Sequence, residues 1–406
     1  MPERMALSPT LWLIVAPPAV ALAWQLVART RRAAAGDASD PWAARVGVGS
    51  ALIASGATLG HALRLARASA GVEAFVQPGA GAAHGGPLDG ASGLRFDGLS
   101  GAACGLACAV ALAAAVLLAS RPAAEPRGRA WAWLELALAS ALLTFLAGGF
   151  VTVVLGWTLA AAAAAWLEGW TNPSAGAVRA TRGALAILAL LSGAALRVDP
   201  GPGHATLAVV AFLIAAAAMS ASTPPSGAPP ALAALACGGT TGLLGPFLLL
   251  RLASHEPTLS GVGLAVAGPT LVLAGVAMIA AIGRQALHAP AGPSRWLAVV
   301  GGAAPGLTCI ALGADGEKGG LLVLVSAGVT SACLLLMAAA RGISAAPART
   351  PARPDLSATL FARAPASLGT LLLSFERWVL DAVAGAVVVI AHASAWALSR
   401  IDARRS

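Results

Sequence analysis

Residues 131–170 read WAWLELALASALLTFLAGGFVTVVLGWTLAAAAAAWLEGW, and this stretch decides the fold. Glu135 and Glu168 are its only charged residues, and Gly148 and Gly149 divide it into two apolar runs. At a rise of about 1.5 Å per residue, each run is long enough to cross the hydrocarbon core of a bilayer. The stretch therefore predicts a hairpin of two membrane-spanning helices.

The composition extends this prediction to the whole chain. Apolar residues make up 58% of the 406 residues and charged residues only 11%, which leaves too little polar surface for a soluble domain of this length. The 47 glycines and the abundant alanines fit helices that approach one another closely, although a GC-rich genome would also enrich alanine. We therefore expect an all-α, polytopic transmembrane helix bundle.

Apolar runs of spanning length recur along the chain and predict about twelve spans. The shortest of them is Gly183–Leu196. Prolines such as Pro246 and Pro305 predict that some of these helices are broken at membrane depth. The predicted spans are Ala6–Ala28, Val46–Leu65, Leu99–Ser120, Ala130–Ala147, Phe150–Leu167, Gly183–Leu196, Ala205–Ser222, Pro230–Leu252, Gly261–Ile282, Trp296–Leu312, Gly319–Ala340 and Trp378–Leu398.

Four regions follow from this pattern. Residues 1–97 form a two-span region with a long outward loop, and residues 98–340 form the transmembrane core. Residues 341–377 form a linker with room for an interfacial helix, and residues 378–406 form the last helix and a tail. The loops after odd-numbered spans carry the excess of basic residues, so we expect both termini to face outward across a bacterial inner membrane. Because the basic residues are scattered singly, they predict no nucleic-acid surface.

The chain has few residues suited to cofactor or metal chemistry. All five cysteines lie in apolar runs, where packing is the expected role. Cys104 and Cys108 share a helix face, but without a neighbouring histidine or carboxylate they make a poor metal site. No nucleotide-binding loop, CxxC pair or nucleophile elbow is present. We expect no metal and no cofactor, and at most a non-redox role within an enzyme.

Two motifs resemble those of a known family. GLRFDGLS at residues 93–100 and LAGGFVTVVLGW at residues 146–157 resemble the antiporter-like subunit L of bacterial NADH:quinone oxidoreductase, or respiratory complex I. They are also similar to the large subunits of multisubunit cation/proton antiporters. Gly227–Leu252, Ser294–Gly313 and the carboxyl-terminal FERWVLDAVAGAVVVIAHASAWALSRID resemble later spans of the same family. The resemblance implies an antiporter-like core, with several spans lost near residues 340–367.

The resemblance also indicates where proton-carrying residues would stand. The family glutamate after Gly-Trp corresponds to Thr158, and the lysine of its seventh span corresponds to Met219. The histidine of the eighth span corresponds to Cys237, and the lysine of the twelfth to Ser331. All four substitutions remove a titratable group, and the chain's single lysine, Lys318, lies between predicted spans. The resemblance therefore implies a chain that has lost the family's proton path.

Two other residues could replace the missing groups. Glu135 is either an interfacial carboxylate beside Trp131 and Trp133 or a relocated proton carrier. His392 lies deep in the last predicted span, where it is either a buried neutral imidazole or a titrating group.

Other charged residues have simpler interpretations. We expect Glu168 to be interfacial, and Arg179 and Arg182 to be loop anchors. We expect Asp97 to cap the helix that follows it.

Three functions remain open. The first is a mainly structural membrane subunit of a complex I type assembly, with the bilayer and other membrane subunits as partners and no quinone bound to this chain. The second is an autonomous secondary cation/proton transporter that uses Glu135 and His392. The third is a polytopic membrane protein of unrelated function.

Overall fold

The computed structural model describes residues 5–7, 10–35, 41–68, 74–78, 93–120, 127–169, 173–198, 204–220, 232, 235–255, 268–269, 271–280, 293–315, 320, 322–326 and 328–330. The chain divides into two compact units, Met1–Leu336 and Met337–Ser406. All described residues belong to the first unit, so the predicted linker 341–377 and the predicted last helix lie outside them.

The first unit is built mainly from helices, as the composition predicts. Leu235–Gly239 form a π-helix, and Leu271–Ala280 form a further short apolar helix. The α-helices are α1 Trp12–Ala35, α2 Pro41–Arg67, α3 Gly98–Ser120, α4 Arg127–Phe145, α5 Phe150–Glu168, α6 Pro173–Val198, α7 His204–Ser220, α8 Thr241–His255 and α9 Pro293–Asp315.

Four of the described helices are long and apolar enough to cross a membrane by themselves. They are Trp42–Arg67, Gly98–Ala119, Phe150–Glu168 and Pro173–Leu196. Shorter apolar helices accompany them, such as Trp12–Ala28 and Leu207–Met219. The chain is thus an all-α membrane protein, while the count of about twelve spans remains a prediction.

The predicted hairpin lies at the centre of the bundle. Helices α1, α2, α3, α5 and α8 all contact α4, and the indole rings of Trp131, Trp133 and Trp157 are fully buried. The Nε1–H of Trp133 donates a 2.7 Å hydrogen bond to the backbone oxygen of Ala163, which ties α4 to α5. A stretch that is apolar on every face is thus used as the core around which the other helices pack.

Glycine allows the two helices of the hairpin to approach closely. A Cβ atom at Gly156 would collide with Oγ1 of Thr144 and would lie 3.2 Å from the backbone oxygen of Ser140. Gly156 therefore marks the point where the backbone of α5 rests directly on α4.

Two strands in the predicted outward loop and one before α1 were not expected from the sequence. Strand β1 (Met5–Leu7) pairs in parallel with β2 (Ala74–Pro78), and β2 pairs antiparallel with β3 (Gly93–Asp97). The other edge of β3 bonds to the corner between α4 and α5, where Arg95 N donates to Leu146 O at 2.7 Å and Gly148 N donates to Gly93 O at 2.9 Å. Because β3 has partners on both edges, it lies buried against the corner of the hairpin.

The predicted span Pro230–Leu252 is not one continuous helix. The π-helix ends at Gly239, and α8 begins at Thr241. Oγ1 of Thr240 donates to Leu235 O at 3.0 Å and Oγ1 of Thr241 donates to Ala236 O at 2.7 Å, so side chains satisfy carbonyl groups that an α-helix would have bonded. The break therefore lies before α8, whereas Pro246 and Pro305, where breaks were expected, lie inside the helices α8 and α9.

The shortest predicted span, Gly183–Leu196, corresponds to a helix that is longer than predicted. Helix α6 begins at Pro173, ten residues before the predicted start at Gly183, and ends at Val198. Arg179 and Arg182 lower the apolar content of its first turns, which hides them from a hydropathy criterion. Arg179 is nevertheless buried inside the protein.

Gly156→Ala tests the close contact between α4 and α5. The added methyl group would overlap with Thr144, so we expect a loss of about 1–3 kcal/mol in the free energy of unfolding. Gly60→Ala in α2 is the matched control, because a Cβ atom at Gly60 meets nothing within 4 Å. Thermal unfolding of the detergent-solubilised chain measures both, and equal stability of the two variants would contradict the assigned contact.

Candidate functional site

Asp97 stands at the junction between β3 and α3. Its Oδ1 accepts a 2.8 Å hydrogen bond from the backbone N–H of Ser100, in the first turn of α3. A carboxylate in this position satisfies an amide that has no partner within the helix and interacts favourably with the helix dipole. The predicted helix-capping role of Asp97 is confirmed.

The same carboxylate also holds two arginines. Its Oδ2 accepts hydrogen bonds from Nε of Arg95, at 3.0 Å, and from Nη1 of Arg251 in α8. The guanidinium of Arg251 also lies 5.8 Å from the ring centroid of Phe247, within cation–π range. We call Arg95, Asp97, Ser100 and Arg251 the Asp97 cluster. It joins the start of α3 to the last turns of α8 across more than 150 residues of sequence.

These contacts control the charge of Asp97. Burial favours the neutral acid, but the charge of Arg251, the amide of Ser100 and the charge of Arg95 together outweigh burial. The pKa of Asp97 is therefore lowered from 3.8 to about 2. Asp97 is a fixed anion at physiological pH and is unsuited to exchange protons there.

A small cavity of about 20 Å³ adjoins the Asp97 cluster. Side chains of Thr144 from α4, Trp157 from α5, and Phe247 and Arg251 from α8 are among those that line it. The volume is enough for one water molecule. The buried Nε1–H of Trp157 has no acceptor among the described residues, and a water molecule in this cavity would supply one.

A second buried charge, Arg179 of α6, contacts the carboxyl ends of α5 and α7. Nε of Arg179 lies 3.5 Å from Oε1 of Glu168, at the end of α5. The guanidinium also donates to the backbone oxygens of Ala218, at 3.2 Å, and Met219, at 2.5 Å, which are carbonyls at the end of α7. We call these four residues the Arg179 cluster. A cation is favourable at the carboxyl end of a helix, where carbonyl groups lack amide partners.

This geometry corrects the expectation for Arg179. The arginine was expected to anchor a loop, but it lies within α6 and is 1% exposed. A hydropathy scale places an arginine in water because it scores the charged residue alone. It contains no information about the carbonyl and carboxylate groups that neighbouring helices provide.

Glu135 lies deep in the bundle. It is the ninth of the 19 residues of α4, is 0% exposed, and has a hydrogen-bonding partner in Ser50 of α2. Oγ of Ser50 lies 2.7 Å from Oε1 and 2.8 Å from Oε2 of Glu135. The aromatic-belt setting expected for Glu135 is not observed, because Trp131 and Trp133 beside it are buried in the protein.

The positions implied by the family resemblance do not form one site in the described part of the chain. Thr158 is exposed, and its Oγ1 donates to the backbone oxygen of Val154 at 2.8 Å. Met219 is fully buried, and Cys237 lies within the π-helix. Ser331 and His392 lie outside the described residues. In the LGWT sequence, Gly156 and Trp157 face the core, so Thr158 faces away from it.

Three of the cysteines are described with their side chains. Cys104, Cys108 and Cys309 are free thiols and are buried. The described residues contain no group of three or more histidine, cysteine, aspartate or glutamate side chains able to hold a metal ion.

The fold is similar to two membrane-complex chains. It superimposes with a TM-score of 0.65 on a chain of the membrane-bound sulfane sulfur reductase, an archaeal respiratory membrane complex, at 17% identity over 84% of this chain and 57% of that one. With a chain of the Mrp complex from Dietzia sp. the TM-score is 0.60, at 19% identity over 82% and 64%. Neither a protein-family model nor a curated protein matches the sequence.

These similarities show a shared fold. The chain spans less than two thirds of the length of either neighbour.

Sequence reasoning missed how the charged residues pair. Arg251 lies near the end of the predicted span Pro230–Leu252 and Arg95 lies in the motif GLRFDGLS, and the sequence assigns neither of them a partner. An arginine at the end of an apolar run, with an aspartate at the start of another run on the same side, was the signal that could have indicated the pair.

Asp97→Asn isolates the charge of the Asp97 cluster. A lowered pKa means that the ionised group stabilises the fold above about pH 4, and that this stability is lost as the pH falls toward 2. We expect the wild type to lose about 2 kcal/mol more than Asp97→Asn in this range, since one pKa unit corresponds to about 1.4 kcal/mol. Asparagine still caps a helix, so the variant should fold.

Chemical unfolding at a series of pH values measures this difference. Identical acid profiles for the wild type and Asp97→Asn would contradict the assigned ion pair.

Proposed function

We propose that this chain is an antiporter-like membrane subunit of a multi-subunit assembly, most specifically a complex I type NADH:quinone oxidoreductase, with a structural role. It would lie in a bacterial inner membrane with both termini outward and would bind no quinone. The observation that carries the proposal is that the buried arginines Arg95, Arg179 and Arg251 are held in ion pairs with Asp97 and Glu168. Redox chemistry and proton transfer would belong to other subunits.

The two charged clusters support a structural role. The Asp97 cluster joins α3 to α8, and the Arg179 cluster joins α5, α6 and α7. Removing one partner of a buried ion pair typically costs about 3–5 kcal/mol, because it leaves the other charge buried without compensation. Groups held in this way are suited to fix the positions of helices and poorly suited to exchange protons.

The positions implied by the resemblance support the same conclusion. Thr158 and Met219 carry no group that titrates near neutral pH, and Thr158 faces outward. The sequence gives the same indication for Cys237 and Ser331, which carry neither the histidine nor the lysine of the family.

The outer faces of two helices fit partners in a membrane. Helix α2 exposes Leu52 and Ile53, and α6 exposes Leu185 and Leu188. Such faces fit lipid chains or apolar helices of other subunits, as expected of a component of a larger assembly. Both structural neighbours belong to multi-subunit membrane complexes.

Deleting the chain tests the structural role. We expect the membrane assembly to purify without its full set of subunits when the gene is deleted. The Arg179→Gln chain should fail to restore the set, because it loses the contacts to three helices. Arg45→Gln is a control of equal charge, since Arg45 is exposed and lies over Trp42 at 4.9 Å. An unchanged complex after deletion would refute the proposal.

The burial of Glu135 favours a second candidate, an autonomous cation/proton transporter. A carboxyl group in the middle of a membrane bundle is costly and often functional. In vesicles that contain only this chain, an imposed cation gradient should then produce a pH change that Glu135→Gln and His392→Ala abolish. Gradients that dissipate equally in the variants and the wild type would exclude this candidate.

A further inference from the structure

Glu135 and Ser50 form a buried polar pair that the structural role does not require. We propose that Glu135 binds a proton and is held as a carboxylic acid, which donates to Ser50, while Ser50 donates to the backbone oxygen of Gly47. The inference concerns this site alone and does not depend on the assembly to which the chain belongs.

The number of available hydrogens carries the argument. Oγ of Ser50 lies 2.7 and 2.8 Å from the two carboxyl oxygens of Glu135 and 3.0 Å from the backbone oxygen of Gly47. A serine hydroxyl has one hydrogen, so it can donate fully to only one of these acceptors. With an ionised Glu135, a single hydrogen would face three acceptors in a buried site.

A proton on Glu135 removes this shortage. The acid O–H then donates to Oγ of Ser50, and the Ser50 hydroxyl donates to Gly47 O. Two hydrogens then serve the three close contacts of Oγ, and the remaining acceptor is the uncharged carbonyl oxygen of the acid group. The balance is simple: one proton from solution converts the carboxylate into the acid, and no other reactant is needed.

Among the side chains that the structure describes, no cation pairs with Glu135. The Arg179 and Asp97 clusters use their charges at helix ends. In α4 itself, Arg129 precedes Glu135 by six residues, or about 9 Å along the helix axis. In α2, Arg45 is exposed over Trp42, and His61 lies eleven residues beyond Ser50, or about 16 Å along its helix.

The polar side chains described on α1 and α3, which also contact α4, are uncharged. Helix α1 contributes Gln25, whose amide donates to the backbone oxygen of Ala43 at 3.1 Å. Helix α3 contributes the buried thiols Cys104 and Cys108, and the latter lies 3.8 Å from Oγ1 of Thr58. The carboxyl group of Glu135 is thus left with a hydroxyl partner.

Close helix packing fixes the pair. Gly47 lies one turn from Ser50 in α2, and Trp131 lies one turn from Glu135 in α4. The ring of Trp131 occupies the position that a Cβ atom at Gly47 would take, so the glycine lets this ring of α4 pack directly on the backbone of α2. The Nε1–H of Trp133 fixes the other side of α4 against α5. The contact between Ser50 and Glu135 is therefore held by the packing of Trp131 against α2 at Gly47.

Infrared spectroscopy of the full chain in detergent tests the proposal. A carboxylic acid has a C=O stretching band separate from that of carboxylates, and the band shifts in D2O. We expect a band with the amplitude of one acid group per chain at neutral pH, which disappears in Glu135→Gln. Glu168→Gln should retain it, because Glu168 is paired with Arg179.

Ser50→Ala provides the second measurement. It removes the acceptor of the acid O–H, so the band should remain and move to the frequency of a more weakly hydrogen-bonded acid. If Glu135→Gln fails to fold, as judged by circular dichroism, this shift still tests the assignment. A spectrum without an acid band at neutral pH, or a band that is unaffected by Ser50→Ala, would overturn the proposal. Either of these spectra would overturn only the protonated state of Glu135. The structural role is tested separately, by the subunit composition of the purified complex.

Discussion

The described core depends on the ion pair between Asp97 and Arg251. A charge inside a helix bundle has no water to solvate it, so a group from another part of the chain must compensate it. Asp97 and Arg251 compensate each other's charge. Asp97 also caps α3, and Arg251 also packs over the ring of Phe247. Helix α8 begins at a break within the bundle, so this contact fixes the end of a helix that is not continuous with a full span.

The two charged clusters both adjoin α5. Its first turn lies beside β3, where the amide of Gly93 donates to Oγ1 of Thr152 at 3.2 Å, and Asp97 ends that strand. Its last residue, Glu168, pairs with Arg179. The 19 residues of α5 separate these points by about 27 Å. Charges are thus concentrated where helices end and backbone groups lack partners, and Glu135, in the middle of α4, is the exception.

The break before α8 and the strand β3 show how backbone groups are satisfied in such a fold. Thr240 and Thr241 supply hydroxyl donors where the helix loses its regular bonding, and the corner between α4 and α5 supplies partners to the free edge of β3. Unpaired backbone groups are expensive in a water-free interior, so irregular segments occur where protein surrounds them. These features place the polar backbone of the described core inside it and leave apolar side chains such as Leu52 and Leu185 outside.

The sequence alone predicted the helical class, the hairpin at Gly148 and Gly149, and the cap at Asp97. These features depend on local properties: apolar content, chain length and the chemistry of the residue before a helix. It could not predict β3, because the partners of that strand come from two separate segments, β2 and the corner between α4 and α5. Nor could it predict the interior position of Arg179, since apolar content gives no information about carbonyls on another helix.

The sequence by itself determined which segments are helices and that they belong in a membrane, because burial of apolar side chains in lipid depends on each segment alone. Only the tertiary structure decided which polar groups meet. Ser50 and Glu135 are 85 residues apart, and Asp97 and Arg251 are 154 apart. The state of a buried charge depends on its neighbours within a few ångströms, and those neighbours are fixed by helix packing, which the hydropathy pattern does not encode.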